Sequence, residues 1–337
     1  MRAFFTLLFA ALFAFAPAAA SAAMPGPLAN LQLGLAAMSL HAPGNVAMEI
    51  KDLASGFTEG INSSASMPAA STIKIPVMVE VFHQLQEGKF DFNTTVTLRA
   101  SDKDWGSGSL CDRRAGTPFA VSHLLTAMIT VSDNTATNML IRLVGREHIN
   151  EEMTQMGLQH THLGDSIRSE GNAIRWALRS SPADMVILLS HMANSDLIDE
   201  WSSKEMISIL SGQQHNGLLP QPLPSGLQIA HKTGTLHDTL NDVGIVYAAT
   251  TPYVIAVMTT NLPSLWAGKK FIRGVSRLAY DELTRMGDTL ESAVPAATAP
   301  PATGVDETDA PMWGNNANGS SGSGEPAATE PAPSPTP

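Results

Sequence analysis

Ser71 and Lys74 stand three residues apart in Ala70-Ser71-Thr72-Ile73-Lys74-Ile75-Pro76. On a helix that spacing places both side chains on one face. A serine hydroxyl is a weak nucleophile until a base takes its proton, and an amine one turn away is such a base once its pKa is lowered. The apolar run Ile75 to Val81 buries the helix and favours the neutral amine. One S-x-x-K is expected by chance in a chain of this length. Two further groups of residues remove the ambiguity. Ser132-Asp133-Asn134 follows about sixty residues later, and Lys232-Thr233-Gly234 about a hundred after that. Together they supply a nucleophile, amines for proton transfer, hydroxyls for relay and an amide for substrate binding, the parts that acyl transfer needs.

In this order the three groups resemble the class A β-lactamase family of penicillin-recognising serine hydrolases, over roughly residues 28–287. The resemblance implies catalysis through a Ser71 acyl-enzyme, with Lys74 a candidate base and Ser132 relaying a proton to the leaving nitrogen. Asn134 is expected to hydrogen-bond the substrate amide and Lys74. Asp133 is expected to face inward and hold its own loop. Lys232 supplies positive charge near Ser132, Thr233 binds a substrate carboxylate, and Gly234 lets substrate approach its strand. The backbone N–H groups of Ser71 and Thr235 are expected to form the oxyanion hole. Trp105, in Asp104-Trp105-Gly106-Ser107-Gly108, has two readings: a wall of the site entrance, as an aromatic at this distance implies in the family, or a core residue.

The family also removes its acyl group, with a glutamate that holds a water. Arg168-Ser169-Glu170 fits the first part of that pattern. The Asn expected four residues after the glutamate is replaced by Ile174, the nearby Asn is Asn172, and the stretch to Ser180-Ser181-Pro182 is short. Two readings of Glu170 follow: the deacylation base, or a surface residue of a remodelled loop. The functional expectation is a β-lactam hydrolase acting on small molecules. The alternative is a penicillin-binding DD-peptidase-like protein acting on cell-wall peptides with slow or absent deacylation. A pseudoenzyme that only binds partners is disfavoured by the intact groups.

The elements that must position these residues are legible as periodicities. Helices are expected near 28–38, 71–86, 121–130, 135–143, 148–156, 182–192, 203–211 and 271–286. Strands are expected near 46–50, 94–98, 227–232, 242–249 and 253–260. A strand early, helices in the middle and strands late predict an α/β (α+β) sandwich. The resemblance adds a mostly antiparallel sheet made from both ends of the chain, beside an all-helical lobe, with the site between them.

Composition bounds the rest. The 337 residues carry a net charge of −11, of which residues 288–337 hold −7 with no Lys or Arg. Nothing forms a basic patch for nucleic acid. Met1 to Ala23 reads as a signal peptide, with Arg2, the apolar run from Ala3 to Pro17 and Ala20-Ser21-Ala22. The run is short for a membrane span, so an exported protein without stable membrane insertion is expected. The family implies a bacterial periplasm. The expected division is 1–23 signal peptide, 24–287 catalytic domain and 288–337 a disordered acidic Pro/Ala/Gly/Ser-rich tail. Cys111 is the one cysteine, so no intrachain disulfide exists. His160 and His162 lack a third ligand of convincing spacing, and no metal or cofactor is required. His237 is expected to line the cleft, while Lys269, Lys270 and Arg273 compete to meet a substrate carboxylate. A monomer is the expected state.

Overall fold

The computed structural model describes residues 26–169 and 177–293. The expected signal peptide, Glu170 and the tail from residue 294 onward lie outside the described residues.

The chain opens with helix α1 (Gly26–Leu40) and strands β1 (Asn45–Asp52) and β2 (Thr58–Ile61). The short β3 (Met67–Pro68) leads through a 3-10 turn, Ala70–Ile73, into α2 (Lys74–Gln86). β4 (Thr95–Thr97) and β5 (Pro118–Ala120) frame a long loop, followed by α3 (Val121–Thr130), α4 (Asn134–Val144) and α5 (Arg146–Gln155). After β6 (His162–Leu163) and β7 (Leu178–Ser180) come α6 (Pro182–Ala193) and α7 (Glu200–Ser211). β8 (Ile229–Leu236), β9 (Thr239–Val246), β10 (Tyr253–Thr260) and α8 (Leu265–Ala293) complete the described part.

The main sheet has the order β2-β1-β10-β9-β8, with antiparallel neighbours throughout. β1 pairs along its whole length with β10, from Asn45 opposite Thr260 to Asp52 opposite Tyr253. The two ends of the chain thus build one sheet beside helices, as the α/β sandwich requires. Its strands β9 and β10 are buried on both faces. Met48, Ile50, Ile255 and Val257 pack with Leu31, Leu35, Ile272 and Val275 of α1 and α8. Ala47, Val243, Ala256 and Met258 pack toward the helical lobe. Period two therefore divides one apolar run between two cores, which is why β10 is apolar almost throughout.

α2 is buried on every side from Lys74 to Phe82, and Ile75, Val77, Met78, Val79, Val81 and Phe82 are each fully buried. Truncating one of these large side chains to Ala is expected to cost about 2–5 kcal/mol. Pro76 falls in the first turn, where its missing N–H has no intrahelical partner to lose. The helix is thus a rigid central post with Lys74 at its first turn.

Three expectations need correction. Ser71 sits in the 3-10 turn, not on the α-helix, and Lys74 is the first residue of α2. In 3-10 geometry residues i and i+3 eclipse, so the pair still shares a face. β8 does not end at Lys232 but continues through Thr233, Gly234 and Thr235 to Leu236. The closing helix runs over Leu265–Ala293, so the boundary drawn at 288 falls inside it. The acids Asp288 and Glu291 do not break a helix; the first proline beyond it is Pro295, whose predecessor is biased out of the α region.

Candidate active site

The Ser71 turn is held from three sides. Ala69 N donates to Leu178 O at 2.9 Å, tying the turn to β7. The Asn241 side chain donates to Pro68 O at 2.8 Å and Ala69 O at 3.1 Å, while its oxygen accepts from Thr259 N at 3.0 Å. One buried amide therefore joins β9, β10 and the turn. Ala70 is held at φ +49°, sparsely populated for a residue with a Cβ. Gly234 of β8 faces this turn: a Cβ there would lie 2.9 Å from Ala69 O, 3.1 Å from Ala70 Cβ and 3.2 Å from Ser71 N. The close approach that Gly234 permits is that of the chain's own turn.

Lys74 is fully buried, and its Nζ lies 2.6 Å from Ser132 O, 3.0 Å from Ser132 Oγ and 2.7 Å from Asn134 Oδ1. It is turned toward the Ser132–Asn134 segment, and the Ser71 hydroxyl takes no hydrogen bond from the described residues. Lys232, also fully buried, reaches Ser132 Oγ at 3.1 Å and Thr233 O at 3.0 Å. The Ser132 hydroxyl thus stands between two amines. Ser132 itself is strained, at φ +59°. Burial, reinforced by Lys232, pushes the Lys74 ammonium well below the ordinary lysine range, against the opposing pull of Asp133 and Asp104. Burial likewise pushes Lys232 down to about 7, with Asp242 opposing. Asp242 accepts from Leu219 N at 2.9 Å and pairs with His231 at 2.9 Å, whose other nitrogen meets Asn216.

Asp133 is fully buried and caps α4, accepting from Ala136 N at 2.8 Å. Its other oxygen accepts from Ser109 N at 2.7 Å and Leu110 N at 2.9 Å, so it anchors the neighbouring loop. Asp104, unremarked in the sequence, does the same on the opposite side. Its Oδ1 accepts from Asn134 Nδ2 at 2.7 Å, Gly106 N at 3.0 Å and the Ser169 hydroxyl; its Oδ2 accepts from Ser169 N at 2.6 Å. Burial works to raise its pKa, but these bonds prevail and hold the carboxyl below its ordinary value. No spacing rule singles out an acid within a Gly/Ser loop. Asn241 and the His231–Asp242 pair escaped notice for the same reason: they look like ordinary strand residues.

These groups border a cavity of about 740 Å³, the size of a small-molecule pocket, lined by Ser71, Ser132, Asn134, Ser169, Thr233 and Thr235 among others. Ser71, Ser132, Asn134, Thr233 and Thr235 are thereby brought together, with Lys74 and Lys232 behind them. His237 and Lys269 also line it. Arg273 is committed to the Gly217 carbonyl at 2.8–2.9 Å, and Lys270 lies over the Trp266 ring at 5.9 Å. Of the three competing cations, Lys269 borders the cavity. Trp105 is 70% exposed, which overturns its reading as a core residue; its neighbours Gly106 and Ser107 line the cavity wall.

His160 and His162 form no metal-competent group among the described residues; His160 faces Asp184 instead. Glu80, His83 and Glu152 do bring three donor atoms within 4.8 Å of one another, but on the α2–α5 side, where His83 already meets Glu152 at 2.9 Å. Cys111 is buried, and that burial, with Asp112 and Asp133 nearby, pushes its thiol up, away from nucleophile behaviour.

The model of the beta-lactamase enzyme family matches residues 31–283. Among curated proteins, the beta-lactamases CARB-3 and PSE-4 of Pseudomonas aeruginosa are each 24% identical over 203 residues, 59% of this chain and 70% of theirs. Among solved structures, PBP-A aligns with a TM-score of 0.72 at 28% identity, over 77% of this chain and 97% of that one. The beta-lactamase from Sphaerobacter thermophilus aligns with a TM-score of 0.71 at 29% identity, over 76% and 98%. Among the described residues no helix is long and apolar enough to cross a membrane.

Proposed function

Since this chain belongs to the beta-lactamase enzyme family, as a hydrolase of class A type, we propose that it opens the β-lactam ring through an acyl-enzyme on Ser71. The observation that carries this reading is the position of Ser132 Oγ, 3.0 Å from Lys74 Nζ and 3.1 Å from Lys232 Nζ, in the cavity that Ser71 also lines.

In the proposed reaction Ser71 Oγ attacks the lactam carbonyl carbon while neutral Lys74 takes its proton. The carbonyl electrons move onto oxygen, which the N–H groups of Ser71 and Thr235 stabilise. The C–N bond then breaks, and the proton held by Lys74 passes through the Ser132 hydroxyl to the leaving nitrogen. A hydroxyl between two amines suits this relay, since it accepts from one group while donating to another. Lys232, with Thr233, meets the substrate carboxylate; a bound anion raises the fraction of Lys232 that is charged. Water hydrolyses the ester, with Glu170 as its base, releasing the ring-opened acid and restoring Ser71. Export to the periplasm and action as a monomer belong to the same reading.

Mass spectrometry of the intact protein mixed with benzylpenicillin tests it. One penicilloyl adduct is expected on wild type quenched within the first turnovers, lost again as the substrate is consumed, and none on Ser71→Ala; an adduct that persists in Ser71→Ala overturns it. The likeness to PBP-A supports a second reading, a penicillin-binding protein that acylates and deacylates slowly. An adduct that accumulates stoichiometrically and decays over hours is its signature.

A further inference from the structure

Three segments that are distant in sequence meet at the Asp104 carboxylate: its own loop, the start of α4 at Asn134, and Ser169. The main chain of Asp104 is pinned as well, its N–H donating to Thr135 Oγ1 at 3.1 Å and its carbonyl accepting from the same hydroxyl at 3.3 Å. Asp104 is 6% exposed. Space here is fully used, since a Cβ on Gly106 would collide with the Ser169 side chain and reach within 3.1 Å of Asn134 Nδ2.

The consequence falls on Asn134. A side-chain amide has a donor end and an acceptor end that are nearly identical in shape. An ionised carboxylate only accepts, so Asp104 draws the Nδ2 end toward itself. The second Nδ2 hydrogen is directed at Ser169 Oγ, at 3.1 Å. The oxygen end is then left facing Lys74 Nζ, at 2.7 Å. An Asn134 released from Asp104 is free to flip and present a donor to the amine.

We propose that Asp104 is a positioning residue for acylation, fixing the Asn134 amide so that its oxygen holds the Lys74 amine in place. This rests on the reading of Lys74 as the base for Ser71. The charged groups that act on Lys74 among the described residues are Lys232 on β8, Asp133 at the cap of α4, and Asp104. Asp104 and Asp133 favour the ammonium while burial and Lys232 oppose it. Removing the Asp104 charge therefore lowers the Lys74 pKa further. If the neutral amine is the base, the acid limb of the acylation profile moves to lower pH.

The test is rapid-quench mass spectrometry of Ser71 acylation by benzylpenicillin, between about pH 5 and pH 9. Wild type, Asp104→Asn, Asp104→Glu and Ser169→Ala are compared. A carboxylate accepts on both oxygens and an amide on one, so Asp104→Asn breaks one arm of the clamp and removes the charge together. It is expected to lower the plateau acylation rate about tenfold, a part of what a misplaced base costs, and to shift the acid limb downward. Asp104→Glu retains the charge and keeps the limb near its wild-type position. Ser169→Ala, which leaves both Asp104 and its bond to Asn134, keeps the limb unmoved. Should Asp104→Asn not fold, Asp104→Ser carries the same expectation. An unmoved limb in the charge-removing variants, or an equal shift in Ser169→Ala, overturns the proposal. Failure of the underlying reading looks different: wild type itself then forms no adduct on Ser71.

Discussion

Lys74 and Ser132 are joined twice, by a 2.6 Å hydrogen bond from Nζ to the Ser132 carbonyl and by a 3.0 Å contact to its hydroxyl. The first contact fixes the amine on the Ser132 backbone, and the second puts the Ser132 hydroxyl beside it. Holding that backbone costs something, because Ser132 sits at φ +59°. Such a conformation costs a residue with a Cβ about 1–2 kcal/mol, and a glycine almost nothing.

Ser132→Gly and Ser132→Ala are therefore expected to diverge in stability while agreeing in activity. Both lose the relay hydroxyl, and acylation by benzylpenicillin should fall about 10²-fold or more. Ser132→Gly should be at least as stable as wild type, and about 1 kcal/mol more stable than Ser132→Ala, in urea unfolding. Equal stability of the two variants would show that the strain is illusory.

Gly234→Ala tests the contact between β8 and the Ser71 turn. The added methyl meets backbone atoms at 2.9 Å and 3.2 Å, which cannot rotate aside. The turn must shift, and a displacement of a few tenths of an ångström at a nucleophile is expected to cost about ten- to a hundredfold in kcat/KM for a chromogenic cephalosporin. Thermal unfolding should show an accompanying loss of a few degrees. Wild-type kinetics in this variant would mean that the turn has slack.

Asp133→Ala tests the role assigned to the middle residue of its motif. A fully buried carboxylate with three backbone N–H partners leaves three unsatisfied donors when it is removed. The expected loss in urea unfolding is about 2–4 kcal/mol. A loss below about 0.5 kcal/mol would contradict the role.

How far the sequence carries is visible in these same residues. The three motifs picked out Ser71, the two buried amines and the Ser132 hydroxyl that the fold brings to one cavity, because acyl-transfer chemistry leaves a fixed vocabulary at fixed offsets. Strand β10 was legible because it is buried on both faces, and β1 because buried Met48 and Ile50 alternate with half-buried Glu49 and Lys51. The extension of β8 past Lys232 was not, since Thr233-Gly234-Thr235 has little apolar content and its strand form comes from pairing with Leu240 and Asn241. The 3-10 turn at Ser71 was hidden for a related reason. Its backbone is set by Asn241, Leu178 and Gly234, all more than a hundred residues away. Asp104 belongs to the same class: its meaning lies in which three segments it touches.

Lys232 makes stability depend on pH in a defined direction. Its folded pKa, about 7, lies below its unfolded value near 10.4. Below about pH 7 the lysine is protonated in both states, and the cost of burying the charge is present in full. Between about pH 7 and 10.4 the unfolded chain holds a proton that the folded chain lacks, so stability rises with pH, by at most about 1.4 kcal/mol per unit. Lys74 acts in the same direction. Urea unfolding of Lys232→Met should show a visibly flatter slope over this window than wild type. An identical slope would mean that Lys232 keeps an ordinary pKa.

The most direct test of the whole account is a time course with a chromogenic cephalosporin, for wild type, Ser71→Ala and Glu170→Gln. Sustained turnover by wild type is predicted, abolished in Ser71→Ala and reduced to a burst equal to the enzyme concentration in Glu170→Gln. Turnover that survives Ser71→Ala would contradict the acyl-enzyme on Ser71 outright.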